Sequence, residues 1–330
     1  MNNITCRVCG EYKSFRKLWD LPDRHYISSE RFPLVQCSKC GVAFLNPMPG
    51  SEELARHYPS VYYGRPPQYP SLPYSFHWRR SQIIKKKATG EILDVGCGNG
   101  GFLTYMKERG WDVYGIDNSP HAVQIAGITL EGKVRHVCDL SEASFPSGHF
   151  DVITLFEVFE HLPEPLSTLR EIRRILKVDG LLFFSVPNFA SLEKMVFGPW
   201  WNGLDAPRHL FQYGPKTIKR LMEAAGFQTV TVKSVSAHNI QVRKSLIDYC
   251  QESLRFFLRD KGLYPQQTQK LEEPVSPPVH EHAKKALWKQ GVFFVECVVF
   301  GPFWLLSRIT DKDNTLWVSA QKHYSESSSQ

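Results

Sequence analysis

The chain has few cysteines, no long apolar run and only a small excess of one charge. Eight cysteines in 330 residues are too sparse for a disulfide-based scaffold. The nearest candidate for a membrane span, residues 291–306, is shorter than the roughly 20 apolar residues required and is interrupted by Glu296 and Pro302. The net charge of +7 favours anionic partners without identifying one. Disulfide-rich, membrane-spanning and histone-like proteins are therefore excluded.

An apolar signal-peptide core is also missing from the first ten residues. We therefore expect a reducing, cytoplasmic setting, in which paired cysteines bind metal more often than each other. Hydrophobic residues at 42% and charged residues at 22% are ordinary for a globular protein. The length corresponds to about two domains of roughly 150 residues, and the sequence has no internal repeat.

Four of the eight cysteines form two pairs near the start of the chain. Cys6 and Cys9 are separated by two residues, as are Cys37 and Cys40, and a glycine follows each pair. This spacing lets one tight turn present two thiolates to a tetrahedral ion, and four thiolates complete a closed shell. The pattern predicts a structural zinc site. The alternative is four unrelated buried cysteines.

From Gly90 onward, predicted strands alternate with predicted helices, which is typical of a parallel sheet covered on both faces. Apolar runs predict strands over residues 91–95, 111–117, 134–139, 151–157, 181–188, 227–235 and 315–322. Ser119 is the predicted N-cap of a helix that has Pro120 at its first position. Residues 165–177 carry an apolar face at helical spacing. We predict an α/β fold.

The first of these strands runs into a glycine-rich turn that opens a helix. Gly96, Gly98 and Gly100 allow the backbone to approach a ligand closely. With Gly101, the turn also satisfies the G-x-G-x-x-G pattern of nicotinamide dinucleotide sites. Asp94 would repel a pyrophosphate, whereas it suits the ammonium and sulfonium of S-adenosylmethionine. The turn therefore favours S-adenosylmethionine over a dinucleotide.

Acidic residues also end the next two strands. Asp117, which is followed by Asn118, is placed to accept hydrogen bonds from ribose hydroxyls. Asp139 ends the third strand, where it would accept from the adenine amine while Leu140 covers the ring. These positions predict a cofactor pocket along the carboxyl ends of the strands.

The segments ILDVGCGNG, VYGIDNS, VCDL and FDVITLFEVFEHL, in that order, resemble the motifs of class I S-adenosylmethionine-dependent methyltransferases. The resemblance covers residues 90–236. It implies a Rossmann-like, seven-stranded, mostly parallel sheet with helices on both faces and an antiparallel last strand. It also implies that the three glycines wrap the methionine end, Asp117 holds the ribose and Asp139 faces the adenine. Glu157 would line the methionine side.

Together with the cysteine pairs, CSKCGVAFLNPMP, VPN and DAPRHLFQY resemble a bacterial group of methyltransferases with a zinc-ribbon head. That group includes nucleotide-sugar C-methyltransferases and enzymes of surface-polysaccharide and secondary-metabolite pathways. The resemblance implies a small-molecule or glycan-precursor acceptor: a sugar, a lipid-linked compound or a secondary metabolite. The predicted organisation is a zinc ribbon over 1–50, a linker or lid and leading helix over 51–89, a methyltransferase core over 90–236, a helical insertion over 237–310, and the last core strand and tail over 311–330.

Two histidines are candidates for the catalytic base. His209 lies in the irregular segment after the fifth strand, where a base with a near-neutral pKa could remove an acceptor proton. His161 follows the fourth strand, closer to the methyl group. Fastening the segment is the alternative role for His209, and shaping the pocket is the alternative for His161. Further candidates for substrate contacts are Tyr62, Tyr63, Trp200 and Trp201, each also explained by packing, and Arg208, whose alternative is to pair only with Asp205.

Other functions remain open at this point. An RNA or tRNA methyltransferase is disfavoured, because the fourth strand lacks an Asn/Asp-Pro-Pro-aromatic motif and no dense Lys/Arg stripe is present. A catalytically silent zinc-ribbon interaction module is disfavoured by the intact pocket acids. Residues 283–306 are either an interfacial amphipathic segment at the inner membrane surface or an ordinary helical subdomain or dimer interface.

Overall fold

The computed structural model describes residues 4–25, 27–58, 74–236, 246–263 and 301–323. The predicted lid tyrosines, Tyr62 and Tyr63, lie outside these residues. The predicted helix and membrane-contact segment 283–306 also falls outside them, except for its last six positions. In the part of the chain that the structure describes, no helix combines the length and apolarity needed to cross a membrane.

The amino-terminal residues form a small antiparallel sheet. Its strands are β1 (Phe15–Pro22), β2 (Arg31–Cys37) and β3 (Ala43–Leu45). Two helices follow, α1 (Ser51–Ala55) and α2 (Tyr74–Ile84). The apolar residues of β2 and β3 are buried, including Leu34, Val35 and Phe44, and they belong to one hydrophobic cluster with residues far along the chain such as Phe184 and Phe211.

A seven-stranded sheet forms the body of the molecule. Its elements and those that surround it are β4 (Glu91–Val95), α3 (Gly101–Lys107), β5 (Asp112–Asp117), α4 (Pro120–Gly127), β6 (Val134–His136), β7 (Phe150–Phe156), α5 (Pro165–Ile175), β8 (Leu176–Pro187), α6 (Leu192–Phe197), β9 (Phe211–Gln212), α7 (Pro215–Ala224), β10 (Thr229–Val235), α8 (Leu246–Asp260), α9 (Gly301–Ile309) and β11 (Thr315–Gln321). Across the sheet the order is β10-β11-β8-β7-β4-β5-β6, and β11 is antiparallel to both of its neighbours. The predicted Rossmann-like sheet is confirmed.

Local sequence signals explain several of these boundaries. The Ser119 hydroxyl caps α4 by accepting from the Ala122 amide at 3.2 Å, and Pro120 is the first helical residue. The third strand is shorter than predicted and ends at His136, because Asp139 begins a capping box over a short 3₁₀ turn. The fifth strand begins at Leu176, earlier than predicted, and its pairing with β7 is irregular between Phe150 and Val152.

One strand of the small sheet comes from far along the chain. The segment 188–213, predicted to be irregular, contains α6, two 3₁₀ turns and the two-residue strand β9. β9 pairs with β3 through Ala43 opposite Gln212 and Phe44 opposite Phe211. The amino-terminal sheet is therefore joined to the body of the molecule by backbone hydrogen bonds.

The direction of strand order reverses at β4, which lies between β5 and β7. In open α/β sheets, ligands bind in the crevice beyond the carboxyl ends of the strands at such a reversal. The fold therefore places a binding crevice at Val95, Asp117 and Phe156, where these three strands end.

Candidate cofactor cavity and four-cysteine cluster

A cavity of about 720 Å³ opens at this crevice. Its volume lies in the usual range for small-molecule sites. The residues that line it are Tyr58, Arg79, Val95, Gly96, Gly98, Asn99, Ile116, Asp117, Asn118, Val137, Cys138, Asp139, Leu140, Phe156, Glu157, Val158, His161, Leu162, Pro163 and Thr168. Most of the predicted cofactor and catalytic residues are thus brought to one cavity by the ends of four neighbouring strands.

The glycine turn after β4 supplies one wall of the cavity. Gly96 has a φ of 72°, and a Cβ atom there would lie 2.4 Å from Val158 Cγ2, so only glycine fits. Gly98 also lines the cavity. Gly100 instead faces α4, where a Cβ atom would lie 2.9 Å from that of Ala126. The close packing of α3 on α4 explains Gly100, and its predicted contact with cofactor stays a prediction.

Asp117, at the end of β5, is fixed by two backbone amides. Gly98 N donates to Oδ2 at 2.8 Å, and Ser119 N donates to Oδ1 at 2.9 Å. A carboxylate has about four acceptor sites, so lone pairs remain for two ribose hydroxyls. Burial raises the pKa of Asp117. Asn118 lies beside it in the cavity wall.

Asp94 lies behind the cavity, in β4, and is 5% exposed. Thr154 Oγ1, in the neighbouring strand β7, donates to Asp94 Oδ1 at 2.6 Å. Burial raises the pKa of Asp94 to about 7, and the hydrogen bond from Thr154 opposes that rise. A nearby cation would favour the ionised form, so a positively charged ligand in the cavity would lower the pKa of Asp94.

The third predicted contact, which begins three residues after β6, combines a polar and an apolar residue. Asp139 Oδ1 accepts hydrogen bonds from the amide and the hydroxyl of Ser141, at 2.9 and 2.6 Å. Leu140 is 5% exposed and contributes apolar surface to the same wall. The pair can therefore offer an acceptor and an apolar cover to a flat ring.

Glu157 follows β7 and has a φ of 57°, which is rare for a residue other than glycine. Its amide donates to the carbonyl oxygen and the hydroxyl of Ser185, each at 3.2 Å. Unusual backbone conformations of this kind are found at functional sites when the surroundings fix them. Here the conformation accompanies a carboxylate in the cavity wall, beside Val158 and the glycine turn.

His161 is the histidine that lines the cavity. Its Nδ1 lies 2.9 Å from the Arg208 carbonyl oxygen and 2.9 Å from Tyr58 Oη. Because a carbonyl oxygen can only accept, Nδ1 carries the proton and Nε2 is the basic nitrogen. Burial, with a smaller contribution from His209, lowers the pKa of His161 to about 3. The ring is therefore neutral near pH 7.

His209 packs edge-on behind His161, with ring centroids 4.7 Å apart, and is not part of the wall of this cavity. His209 Nδ1 donates to the Gly203 carbonyl oxygen at 2.8 Å. Its Nε2 lies 3.7 Å from Glu160 Oε1 and 3.7 Å from Asp205 Oδ2. His209 thus supports His161 from behind, and its predicted role as the base stays a prediction.

A group of buried charges surrounds the two histidines. Burial, together with the nearby Glu157 carboxylate, raises the pKa of Glu160 well above its usual range. Burial alone would raise the pKa of Asp205 too, but the Arg208 guanidinium holds it well below its usual range. Arg208 is 2% exposed and bonded to Asp205, which favours the internal pairing over a substrate contact for this arginine.

Two residues of the cavity wall come from the predicted lid and leading helix over 51–89 but are not among the predicted site residues. Arg79, in α2, is 9% exposed and lies over the Phe156 ring, 4.3 Å from its centroid. It is the one lysine or arginine among the described lining residues. Tyr58 comes from the amino-terminal residues, three positions after α1. Their places depend on how α1 and α2 pack against the sheet, which no local pattern records.

Packing explains the candidate tryptophans Trp200 and Trp201, and also the buried Cys97 of the glycine turn. Trp201 is 1% exposed, and its indole donates to Glu193 at 3.4 Å. Trp200 donates to Asp260 at 3.1 Å and packs edge-on against Phe257. Cys97 fills the space over Gly115, and burial raises the pKa of its thiol. None of the three lines the cavity described above.

The four amino-terminal cysteines converge on one point. Cys6 Sγ lies 3.7 Å from Cys40 Sγ, and Cys9 Sγ lies 3.6 Å from Cys37 Sγ. Four thiolates about 2.3 Å from a tetrahedral zinc ion would be about 3.8 Å apart. The amides of Gly10 and Gly41 close the two turns by donating to Cys6 and Cys37 at 2.9 Å. The sulfur positions fit a zinc ion.

The lining also fits S-adenosylmethionine. Carboxylates at Asp117 and Glu157, with Asp94 behind them, favour a positively charged ligand. Arg79 offers a guanidinium to a carboxylate, Asp117 suits a ribose, and Leu140 offers an apolar surface to a base. A dinucleotide would bring a pyrophosphate into this acidic wall.

Comparison with known proteins agrees with this assignment. A methyltransferase-domain family model matches residues 76–232. The ubiquinone biosynthesis O-methyltransferase of Actinobacillus pleuropneumoniae is 35% identical over 122 residues, which are 33% of this chain and 52% of that protein. The Burkholderia thailandensis enzyme of the same name is 28% identical over 166 residues, 47% of this chain and 72% of the relative.

The chain spans about half the length of the first of these curated relatives. The solved structure of the [4+2]-cyclase SpnF superposes with a TM-score of 0.50 at 18% identity, over 84% of this chain and 97% of that one. This likeness concerns the fold, which supports more than one chemistry. Residues 76–232 thus resemble a methyltransferase domain in sequence and carry most of the Rossmann-like sheet, with a cavity whose lining fits S-adenosylmethionine.

Proposed function

We propose that the protein transfers a methyl group from S-adenosylmethionine to a hydroxyl oxygen of a small-molecule acceptor, with sugars and other glycan precursors among the candidate acceptors. The observation that carries the proposal is the cavity wall, in which the cofactor-type carboxylates and a neutral histidine face one space. The relatives named O-methyltransferases support the choice of oxygen.

Bound in this cavity, S-adenosylmethionine supplies an electrophilic methyl group on a positively charged sulfur. Asp117 would accept from the ribose hydroxyls while its own position is held by Gly98 and Ser119. Arg79 would pair with the methionine carboxylate, and Glu157 would lie near the sulfonium. Asp139 and Leu140 would hold the adenine. These roles position the cofactor for in-line attack.

His161 would take the acceptor proton. A hydroxyl oxygen that gains a methyl group while keeping its proton is an oxonium, which is a far stronger acid than an imidazolium. A neutral histidine with a pKa of about 3 can therefore accept that proton during transfer. The Arg208 carbonyl fixes Nδ1–H, which leaves Nε2 as the acceptor.

The lowered pKa of His161 weighs against a carbon acceptor. A carbon acid must lose its proton before it attacks, and a histidine whose pKa is lowered is a weak base for that step. The sugar C-methyltransferase resemblance points to carbon, so the two alternatives make different predictions for the position of the new methyl group.

We also propose that Cys6, Cys9, Cys37 and Cys40 bind one structural zinc ion. The support is the fit of the sulfur separations to a tetrahedral shell. Because four thiolates leave no open position, this ion would not take part in methyl transfer.

The test is a mass-shift screen with S-adenosylmethionine that carries a trideuterated methyl group. Pools of phenols, nucleotide sugars and lipid-linked glycans are incubated with the purified protein, and products that gain one labelled methyl are located by NMR. We expect the label on oxygen, and its appearance on carbon would overturn the hydroxyl assignment.

A matched pair of variants tests the base. His161→Gln should lower turnover of the identified acceptor by about 100-fold, in the range of general acid–base contributions, without changing cofactor affinity. His149→Gln is the control, because His149 lies at the opposite end of β7 and pairs with Glu91. Equal turnover in the two variants would exclude His161 as the base.

A further inference from the structure

The first cysteine pair is bonded to the segment that carries His161. Arg7 lies between Cys6 and Cys9, and its Nη1 donates to the Pro163 carbonyl oxygen at 3.0 Å and to Glu164 Oε1 at 2.7 Å. Pro163 lines the cavity two residues after His161. The backbone turn that presents two thiolates therefore also presents an arginine to the cavity wall.

The second cysteine pair is held by α7. The Cys40 carbonyl oxygen accepts from Thr217 Oγ1 at 3.2 Å, and the Lys39 carbonyl oxygen accepts from Arg220 Nη1 at 2.8 Å. Thr217 is 3% exposed, so this hydrogen bond is shielded from water. α7 follows directly after β9 and the His209 segment.

A run of backbone hydrogen bonds continues from the second pair to the two histidines. β3 begins three residues after Cys40 and pairs with β9. Beyond that pairing, Leu45 N donates to the Leu210 carbonyl oxygen at 3.0 Å, and Leu210 N donates to the Glu160 carbonyl oxygen at 2.9 Å. Leu210 directly follows His209 in the chain, and its partner Glu160 directly precedes His161. The Arg208 carbonyl oxygen, in the same segment as His209, accepts from His161 Nδ1.

The cofactor half of the cavity, formed by residues within 96–99, 116–118 and 137–140, is fixed in a different way. Gly98 and Ser119 hold Asp117, and Ser141 holds Asp139, so these contacts lie within the loops of the seven-stranded sheet. Gly96 N donates to the Ile116 carbonyl oxygen at 2.8 Å, across two neighbouring strands of that sheet. The local bonds that shape this half do not pass through the cysteine pairs.

We propose that the metal held by Cys6, Cys9, Cys37 and Cys40 fixes the acceptor half of the cavity, which is formed by residues 159–164 and supported by residues 205–213, while the cofactor half forms without it. The positioning residues that connect the cysteine turns to the acceptor half are Arg7, Thr217 and Arg220. Loss of the metal should therefore disable methyl transfer and leave cofactor binding intact. The inference rests on the zinc site and the methyltransferase function proposed above.

The test compares hydrogen exchange of the full chain with one equivalent of zinc and after removal of zinc by a chelator. Without zinc, exchange in residues 159–164 and 205–213 should rise at least about tenfold, because these segments open more easily. Exchange in residues 94–101 and 112–119 should stay the same. Affinity for S-adenosylmethionine, measured by calorimetry, should stay within about twofold, since no cofactor contact is removed.

Three outcomes would overturn the inference. The first is that zinc removal leaves exchange at 159–164 and 205–213 unchanged. The second is that it increases exchange equally in both sets of segments, and the third is that it abolishes cofactor binding. Failure of the zinc-loaded protein to bind S-adenosylmethionine is a separate result, which would overturn the proposed function.

A variant that keeps all four thiolates distinguishes the positioning role from simple unfolding of the zinc-free protein. The double variant Thr217→Val, Arg220→Ala removes two bonds between α7 and the second pair, and Lys219→Ala is the control on the same helix. The double variant should retain one zinc per chain and full cofactor affinity while exchange at 205–213 rises several-fold. Exchange equal to that of Lys219→Ala would contradict the positioning role.

Discussion

Asp117 is the single side chain on which cofactor binding should depend most. Asp117→Ala removes the ribose acceptors and also leaves the Gly98 amide without its partner. Loss of one or two hydrogen bonds to a charged group, at about 1.5–3 kcal/mol each, should weaken S-adenosylmethionine binding by about 100-fold or more. Isothermal titration calorimetry measures this loss.

Asp112→Ala is the matched control for that experiment. Asp112 begins the same strand, is exposed and pairs with Lys133 at 2.8 Å. Removal of an exposed ion pair should change cofactor affinity by less than about twofold. If both variants bound the cofactor equally well, Asp117 would have no role in the pocket.

His161 should make the stability of the protein sensitive to acid. Its pKa is about 3 in the folded protein and near 6.5 when unperturbed, so the unfolded chain binds the additional proton between these values. The free energy of unfolding therefore falls as the pH drops below about 6.5, by about 1–2 kcal/mol for this group at about pH 5. Urea unfolding of His161→Gln should show a smaller loss than wild type between about pH 7 and about pH 5. Identical losses would contradict the lowered pKa.

At the scale of elements, a hydrogen bond between β4 and β7 controls the acid behind the cavity. Thr154→Val keeps the shape of the side chain but removes the donor to Asp94, so the pKa of Asp94 should rise above about 7. The variant should be less stable by about 1–2 kcal/mol at about pH 8, where Asp94 is ionised, and by less at about pH 5. Thr231→Val, at an exposed position of β10, should show no such pH dependence. An equal loss at both pH values would contradict the account of Asp94.

The elements that could be predicted from sequence are those with local signals. The glycine turn after Val95, the Ser119 cap and the apolar face of α5 each fix an element within a few residues. β9 could not be predicted, because it has two residues and its partner strand lies more than 160 positions earlier. The burial of β9 against β3 depends on the folded arrangement and leaves no periodic pattern.

The residues of the candidate site also fall into those that local sequence signals predict and those that depend on packing. The acids at strand ends were predictable, since parallel strands bring their carboxyl ends to one edge. The relative places of His161 and His209 were not, because both follow strands and both are near acidic residues. Packing of the 203–210 segment places His161 in the wall and His209 behind it. Arg79 reaches the cavity only through the packing of α2 on Phe156.

For the whole molecule, the four-cysteine cluster predicts a fixed metal content. Purified protein should contain one zinc per chain by elemental analysis, and Cys9→Ser or Cys37→Ser should reduce that content strongly, because a tetrahedral shell needs all four ligands. Cys138→Ser is the control, since Cys138 is exposed and lies at the cofactor cavity. Full zinc content in Cys9→Ser and Cys37→Ser would exclude the proposed site.

The organisation of the whole chain links this cluster to the cavity through β3 and β9. A seven-stranded sheet presents the cofactor loops, the amino-terminal sheet supports the histidine segment, and Tyr58 reaches His161 from the residues after α1. The cofactor half of the cavity therefore depends on the large sheet alone, whereas the acceptor half also depends on the amino-terminal residues.

The most direct measurement is calorimetric titration of the wild-type protein with S-adenosylmethionine. We predict saturable binding of one molecule per chain, with the affinity largely lost in Asp117→Ala and kept in Asp112→Ala. Absence of binding to folded, zinc-loaded wild-type protein would contradict this prediction.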